Sequence, residues 1–275
     1  MLLLALGCLL LAEPPTLVAD TAAGETLSDA ELGAPVAVGV GVWDVCVAYE
    51  HGSRCNGTAE LPPGHTYVQV DGGLTGYCGI TSEGELYCNT DAAVDAPASA
   101  ERVSVGEFTG VAIDNGELRA WGDNDYRLAD PPSGTGWSSV ALGTYNGCAV
   151  AEDGEVRCWG EDGFDVTDEP RGEFVSVATA DFTACAVGED GDITCWGSTD
   201  GRPPGGSFVS ITAGHYHYCA LAETGSVECW GDDDDQQSSP PSDHFEQIDC
   251  HGYGCCGITD AAEVACWGDV GDENF

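Results

Sequence analysis

The chain has 275 residues with 48 acidic side chains against seven arginines and no lysine, a formal net charge of −41 at pH 7. That balance excludes nucleic acid as a partner, because a phosphate-binding surface needs clustered Lys or Arg, and it excludes docking on an anionic membrane surface for the same reason. Hydrophobic residues make up 43% of the chain, enough to fold, so the acidity reads as a solvated coat on an ordered domain.

In chain order, residues 2–12 (LLLALGCLLLA) come first, apolar throughout but without a basic flank. The run is too short to span a bilayer and has the length of a signal-peptide core. Ala5-Leu6-Gly7-Cys8 is similar to a lipoprotein cleavage box, yet apolar residues continue past Cys8. The reading is therefore an export signal over residues 1–12, with a lipid anchor at Cys8 as the alternative. Residues 13–34, rich in Ala, Glu, Pro and Thr, follow as a flexible leader. Fifteen cysteines point the same way, since so many thiols belong in an oxidising compartment: secreted, periplasmic or at the cell surface.

From residue 35 to 268 one phrase recurs seven times: CVAYEHGSRCNG (46–57), CGITSEGELYCN (78–89), VAIDNGELRAWG (111–122), CAVAEDGEVRCWG (148–160), CAVGEDGDITCWG (185–197), CALAETGSVECWG (219–231) and CGITDAAEVACWG (256–268). A short apolar run precedes each copy: VAVGV (36–40), YVQV (67–70), RVSV (102–105), WSSVAL (137–142), FVSVA (174–178), FVSIT (208–212) and FEQI (245–248). Each unit thus contains three β-patterned runs separated by turns. One such meander cannot bury both faces alone, whereas seven around an axis can, so the expected fold is all-β, a seven-bladed β-propeller with three-stranded blades. An open solenoid is the competing arrangement, disfavoured because the terminal units are not obviously polar caps. Residues 269–275 form an acidic tail.

The spacing inside the phrase has a physical reason. In CAVAEDGEVRC, Glu152-Asp153-Gly154 fits a three-residue hairpin loop with glycine in the left-handed position. Counting back from the loop places Cys148 directly opposite Cys158 in a non-hydrogen-bonded pair, where Cα atoms approach to about 4.5 Å. A hairpin staple follows, and the expected bridges are Cys46–Cys55, Cys78–Cys88, Cys148–Cys158, Cys185–Cys195, Cys219–Cys229 and Cys256–Cys266. Zinc is the alternative, but separate two-cysteine hairpins do not readily converge as four ligands. Unit three lacks both partners together, with Gly110 or Val111 at the first position and Ala120 at the second. Unit one has one residue fewer between its cysteines and must close differently. Unit seven puts Ala262 where the left-handed glycine belongs.

Cys250 and Cys255 remain, flanking His251-Gly252-Tyr253-Gly254 in the bend between the first two strands of unit seven. An extra disulfide is the leading reading; a metal site using both thiolates and His251, or a pair of free thiols, are the others. Trp121, Trp159, Trp196, Trp230 and Trp267 recur at one position of the third strand and read as packing between blades. Asn56 and Asn89 stand there in units one and two, so those blades should pack differently.

The phrases FVSITAGHYHYCALAETGSVECWG (208–231) and FVSVATADFTACAVGEDGDITCWG (174–197) resemble the repeat of the regulator-of-chromosome-condensation family over roughly residues 36–268, closest in units four to six. The resemblance implies a seven-bladed propeller. The short units look most like the secreted bacterial branch, which includes a propeller-type β-lactamase inhibitor. The family's nuclear roles in nucleotide exchange and chromatin contact do not suit a chain with an export signal and no basic surface.

No phosphate-cradling glycine loop, HExxH helix or GxSxG elbow is present. The leading functional expectation is an exported, monomeric, non-enzymatic binding protein that engages a protein partner, a basic one, through loops on one face. Its candidate contacts are Tyr126, Tyr145, Phe164, Phe182, Tyr216, His217 and Tyr253. The second expectation is a cell-surface module holding polysaccharide or calcium, the latter through the hard oxygens of Asp232, Asp233, Asp234 and Asp235. A hydrolase or lyase in the central funnel is the third. No cofactor other than calcium is expected.

Overall fold

Every unit of the chain folds into one antiparallel sheet whose three strands pair in sequence order. The computed structural model describes residues 29–56, 60–89, 93, 95–198 and 202–271. The apolar segment with Cys8, the leader up to residue 28 and the last four residues of the tail lie outside them. The first strands are Pro35–Val40, Tyr67–Gly72, Arg102–Val105, Trp137–Leu142, Phe174–Thr179, Phe208–Ala213 and Phe245–His251. The middle strands are Val45–Tyr49, Tyr77–Thr81, Thr109–Asp114, Asn146–Ala151, Thr183–Gly188, His217–Ala222 and Tyr253–Thr259. The third strands are Gly52–Cys55, Leu86–Cys88, Glu117–Gly122, Val156–Gly160, Ile193–Gly197, Val227–Gly231 and Val264–Asp269.

The seven sheets close into a ring, and the core shows it. Buried apolar side chains fall into seven clusters, each shared by two consecutive blades. The seventh joins the last blade to the first: Val38, Val40, Val45 and Val47 pack against Cys256, Ile258 and Val270. Each fully buried side chain there contributes roughly 1.5–3 kcal/mol, so the closing seam is held by a core of its own. A solenoid would leave these valines in water.

First strands line the central cavity, and polar side chains on them bind each blade to the next. Asp71 Oδ1 accepts the amide of Val105 at 3.2 Å, and Ser104 Oγ that of Leu142 at 3.0 Å. Thr212 Oγ1 accepts the amide of Cys250 at 3.0 Å, and Asp249 Oδ2 that of Val40 at 2.7 Å. These four residues occupy one register position, so the closure from blade seven to blade one uses the same device as the internal seams. Gln69 and Gln247 donate in parallel to the carbonyls of Val103 (2.8 Å) and Val38 (3.2 Å).

In blades other than the third, the first strand carries a bulge at its second residue. The extra residue turns its side chain outward. Val36, Val68, Val175 and Val209 are exposed for this reason, although the sequence shows them as part of apolar runs.

The hairpins form as their spacing requires. Cys148 stands opposite Cys158, with Ala149 opposite Arg157 and Val150 opposite Val156. The Ala151 amide donates to the Glu155 carbonyl at 2.9 Å, and Gly154 has φ +82°. Disulfides join Cys46–Cys55, Cys78–Cys88, Cys148–Cys158, Cys185–Cys195, Cys219–Cys229 and Cys256–Cys266, and a seventh joins Cys250–Cys255. In blade three, Val111 is the residue opposite Ala120. Blade one closes on two residues, Glu50 and His51, because Tyr49 pairs with Gly52.

Ala262 holds φ +58° at the hairpin tip of blade seven. An L side chain is strained there, so Ala262→Gly is expected to stabilise the protein by about 1 kcal/mol despite the entropy that glycine adds to the unfolded chain. An unchanged urea midpoint would refute this.

The third-strand tryptophans pack at the seams and also pin the connections between blades. The indole Nε1 of Trp159 donates to Leu128 O (2.8 Å), that of Trp196 to Val166 O (2.8 Å), and that of Trp267 to Gln237 O (3.1 Å). Asn56 and Asn89 also pin segments outside their own blades, their Nδ2 atoms donating to Val270 O (3.2 Å) and Glu60 O. In addition, their Oδ1 atoms accept the amides of Val45 (2.6 Å) and Tyr77 (2.7 Å) within their own blades. At the upstream boundary, residues assigned to the leader pack on blade one. Asp29–Leu32 form one helical turn, Leu32 is buried, and the amides of Glu50 and His51 bond the carbonyls of Ala34 and Leu32. Downstream, the last strand continues to Asp269 and Val270 is buried, so the ring ends past residue 268.

Candidate functional site

The bends between first and middle strands all lie on one face of the ring, opposite the hairpin tips. In six blades the bend carries an aromatic residue: Trp43, Phe108, Tyr145, Phe182, Tyr216 and Tyr253. Trp43, Phe108 and Tyr216 are 57%, 48% and 53% exposed, which large hydrophobic side chains tolerate poorly without a partner. The rings also touch one another. Tyr145 stacks on Phe182 with centroids 4.9 Å apart, Tyr126 meets Tyr145 edge-on at 4.9 Å, and Trp43 lies 6.0 Å from Tyr253. Tyr126 comes from the connection after blade three, which starts on this face because the third strand runs in the direction of the first.

One residue before each aromatic sits the group that rims the central opening. Glu107, Thr144, Asp181 and His215 are the polar members. Thr144 Oγ1 lies 2.8 Å from Asp181 Oδ1 and 3.4 Å from Glu107 Oε1. His215 Nε2 approaches Glu107 Oε1 from blade six, across the mouth, at 3.6 Å. The Asp181 charge, and then a hydrogen bond to it, push the Tyr216 phenol up to about 12.

Beneath the mouth lies a cavity of about 210 Å³ lined by Gln69, Asp71, Thr179, Asp249 and His251 among others. Asp249 and Asp71 have raised pKa values, first because burial disfavours their charged forms; at Asp71 the nearby Asp249 charge adds to the effect. His251 is neutral, its pKa lowered to about 3 by burial, then by His215 and His217.

Of the residues expected to bind, Tyr126, Tyr145, Phe182, Tyr216 and Tyr253 are brought together on this face. Phe164 belongs to the 3-10 turn Gly163–Asp165, and its side chain lies outside what the structure describes. His217 is not on the surface: it is fully buried, with Nε2 3.1 Å from Cys255 Sγ and its pKa lowered to about 4 by burial. The imidazole beside the sulfur cluster is therefore that of His217 and not that of His251. Ligand atoms of His217, Cys219, Cys250 and Cys255 lie within 4.8 Å of one another, but all three cysteines are in disulfides, and a metal needs thiolates. Cys250 and Cys255 are paired strand residues, so the bend of blade seven is only His251 to Gly254. In the aspartate run, Asp232 Oδ2 accepts from Gln237 Nε2 (3.0 Å) and Asp233 Oδ1 from the Ser238 amide (2.9 Å), which folds the loop on itself.

Trp43, Phe108, Glu107 and Asp181 were not legible as site residues. The signal was their shared offset from the end of the first strand, visible once the bends are aligned by register.

The chain matches the model of the regulator of chromosome condensation (RCC1) repeat at residues 137–165 and 208–237. No curated protein sequence matches it. Among solved structures it is similar to the CRINKLY WD40 ectodomain of the Arabidopsis thaliana receptor kinase ACR4, with a TM-score of 0.71 and 19% identity over 89% of this chain and 99% of that one. The ectodomain of the Physcomitrella patens receptor kinase CR4 gives 0.66 and 23% over 86% and 74%. Prp20p from Saccharomyces cerevisiae gives 0.64 and 14% over 86% and 83%. Two of the seven units thus match the RCC1 repeat, and the ring of seven sheets shares its fold with these solved structures.

Proposed function

We propose that the protein is an exported, non-enzymatic binding module that engages a protein partner through the aromatic-crowned face. The observation that carries this reading is the crown itself: aromatic side chains from six blades on one face, three of them about half exposed or more. Aromatic anchors around a polar centre are what a protein interface concentrates its binding energy on. Seven disulfides support an oxidising compartment, and the ectodomain character of two structural neighbours agrees with it. Prp20p is described with binding properties to Gsp1p and histones, so this architecture does serve protein partners. The net charge of −41 favours a basic partner, steered by long-range attraction.

The test is capture from envelope and medium fractions by the immobilised protein at two salt concentrations. Tyr145→Ala with Tyr216→Ala should weaken capture roughly 30-fold, the effect of losing about 2 kcal/mol at an anchor. Glu189→Ala, at a hairpin tip on the opposite face, should leave capture unchanged. Higher salt should weaken it in the unmutated protein. Equal capture by the crown variant and the tip variant would remove the reading.

A further inference from the structure

The mouth enclosed by the crown has acceptors without donors. Thr144 has one hydroxyl proton, and at 2.8 Å against 3.4 Å it goes to Asp181. Glu107, only 21% exposed, is left with that long contact and His215 Nε2 at 3.6 Å, beyond hydrogen-bond reach. His215 Nε2 has no hydrogen-bond partner. Just below, Thr179 Oγ1 and His251 Nε2 also have none, in residues 5% and 8% exposed that line the cavity. His251 lies 6.0 Å from His215, ring to ring, and Thr179 ends the strand two residues before Asp181 in the bend, so these groups cluster around the mouth and the cavity below it. Buried polar atoms are rarely left unpaired, and each such group asks for an explanation.

The missing partner has a definite chemistry. It must be positively charged to face Glu107 and Asp181 together, and it must bring several donors to acceptors that belong to different blades. A tripod of N–H bonds on a compact charge fits such a scattered set, whereas a planar guanidinium is suited to one carboxylate edge. Tyr145 and Tyr216 flank the opening, where ring faces favour a cation and its methylene stem. The chain has no lysine of its own, so the group has to come from another molecule.

We propose that this mouth takes the side-chain ammonium of a lysine presented by the protein partner, which displaces His215 from Glu107 and donates to Glu107, Asp181 and Thr179. The proposal rests on the reading of the crowned face as the partner surface. It adds the chemical identity of the group at the centre of that surface.

The experiment uses the full chain and three blocked pentapeptides, Gly-Gly-X-Gly-Gly, with X as lysine, Nε-acetyl-lysine or arginine. Imidazole resonances of His215 and His251 report binding by NMR. The lysine peptide should move both resonances saturably, and the acetylated peptide should bind at least about tenfold more weakly. Glu107→Gln, a partly exposed substitution that keeps the side-chain shape, should weaken the lysine peptide by a similar factor. A flat titration, or equal binding of the acetylated peptide, would overturn the proposal. Equal binding of the arginine peptide would overturn the assignment to an ammonium. Each of those results leaves the crown free to capture a partner by its aromatics, whereas unchanged capture by the Tyr145/Tyr216 variant speaks against the face itself.

Discussion

A protein carrying Val111→Cys with Ala120→Cys is expected to gain about 2–3 kcal/mol of stability when oxidised, the chain-entropy value for closing a loop of about ten residues. Val111 and Ala120 are directly paired, and the six equivalent pairs are cysteines bridged with Cα atoms 4.0–4.1 Å apart. The hairpin that sets this pairing is sound. Asp114 pairs with Glu117 across the two-residue turn Asn115-Gly116, both residues at positive φ as that turn requires. Core packing is not an obstacle, because Val111 is fully buried and so is Cys148 at the corresponding place in blade four. For a domain of this size the gain corresponds to a rise of roughly 5–10 °C in Tm. Thermal unfolding of the oxidised and reduced variant decides it. A verified bridge with an unmoved midpoint would mean that the hairpin of blade three is already closed in the unfolded ensemble.

That variant can be designed because so much of the register was legible in the sequence. A loop glycine at fixed distance from two cysteines determines a hairpin, and a hairpin determines which residues face each other. Seven copies then repeat the answer. The bulged valines were not legible: Val175 and Val209 read as members of apolar runs, and only the register shift against the middle strand turns them to solvent. Nor were the seam hydrogen bonds. Asp71, Ser104, Thr212 and Asp249 are three residue types with one role, and no pattern in one chain marks a carboxylate that will meet the next blade's amide.

The site divides in the same way. Tyr145, Phe182, Tyr216 and Tyr253 could be chosen because a bend in a repeat is a surface element and an aromatic residue there is conspicuous. Their convergence with Trp43 and Phe108 depends on the ring closing, since these residues come from opposite ends of the chain. His217 was misplaced because strand alternation does not begin until the bend ends: Tyr216 is the last residue of the bend, and His217 is the first of the strand and points inward. Glu107 and Asp181 were hidden by abundance among 48 acidic residues.

Asp249 is the other position where a large effect is expected, and its sign follows from its surroundings. Burial raises its pKa, opposed by the Val40 amide, Thr212 and the Cys250 amide, and the raised pKa of Asp71 is coupled to it. A carboxyl whose pKa is higher in the folded than in the unfolded protein binds more protons when folded. Its contribution is therefore fully present below the ordinary carboxylate value of about 4 and is lost as pH rises through the elevated folded value. Asp249 by itself accordingly lowers stability from pH 4 upward. His217 and His251, whose pKa values burial lowers to about 4 and about 3, raise it over the same range up to the ordinary histidine value of about 6.5. Repulsion among the surface charges acts in the same direction as Asp249, but salt screens it, and it screens the buried pair much less. The histidine contribution is common to the unmutated protein and an Asp249 variant, so at high salt the difference in slope between them belongs to Asp249 and Asp71. Asp249→Asn keeps an oxygen for the Val40 amide and removes the titration, so its midpoint should rise with pH relative to that of the unmutated protein and exceed it on the alkaline side. Asp249→Ala removes the acceptor as well. It leaves the Val40 amide unbonded at the seam that closes the ring, at a cost of about 1–3 kcal/mol at every pH. Urea titrations of the three proteins between pH 4 and 8 in high salt separate the two effects. If the Asn variant kept the full slope of the unmutated protein, the pH dependence would lie in the buried histidines and the acidic coat and not at the seam.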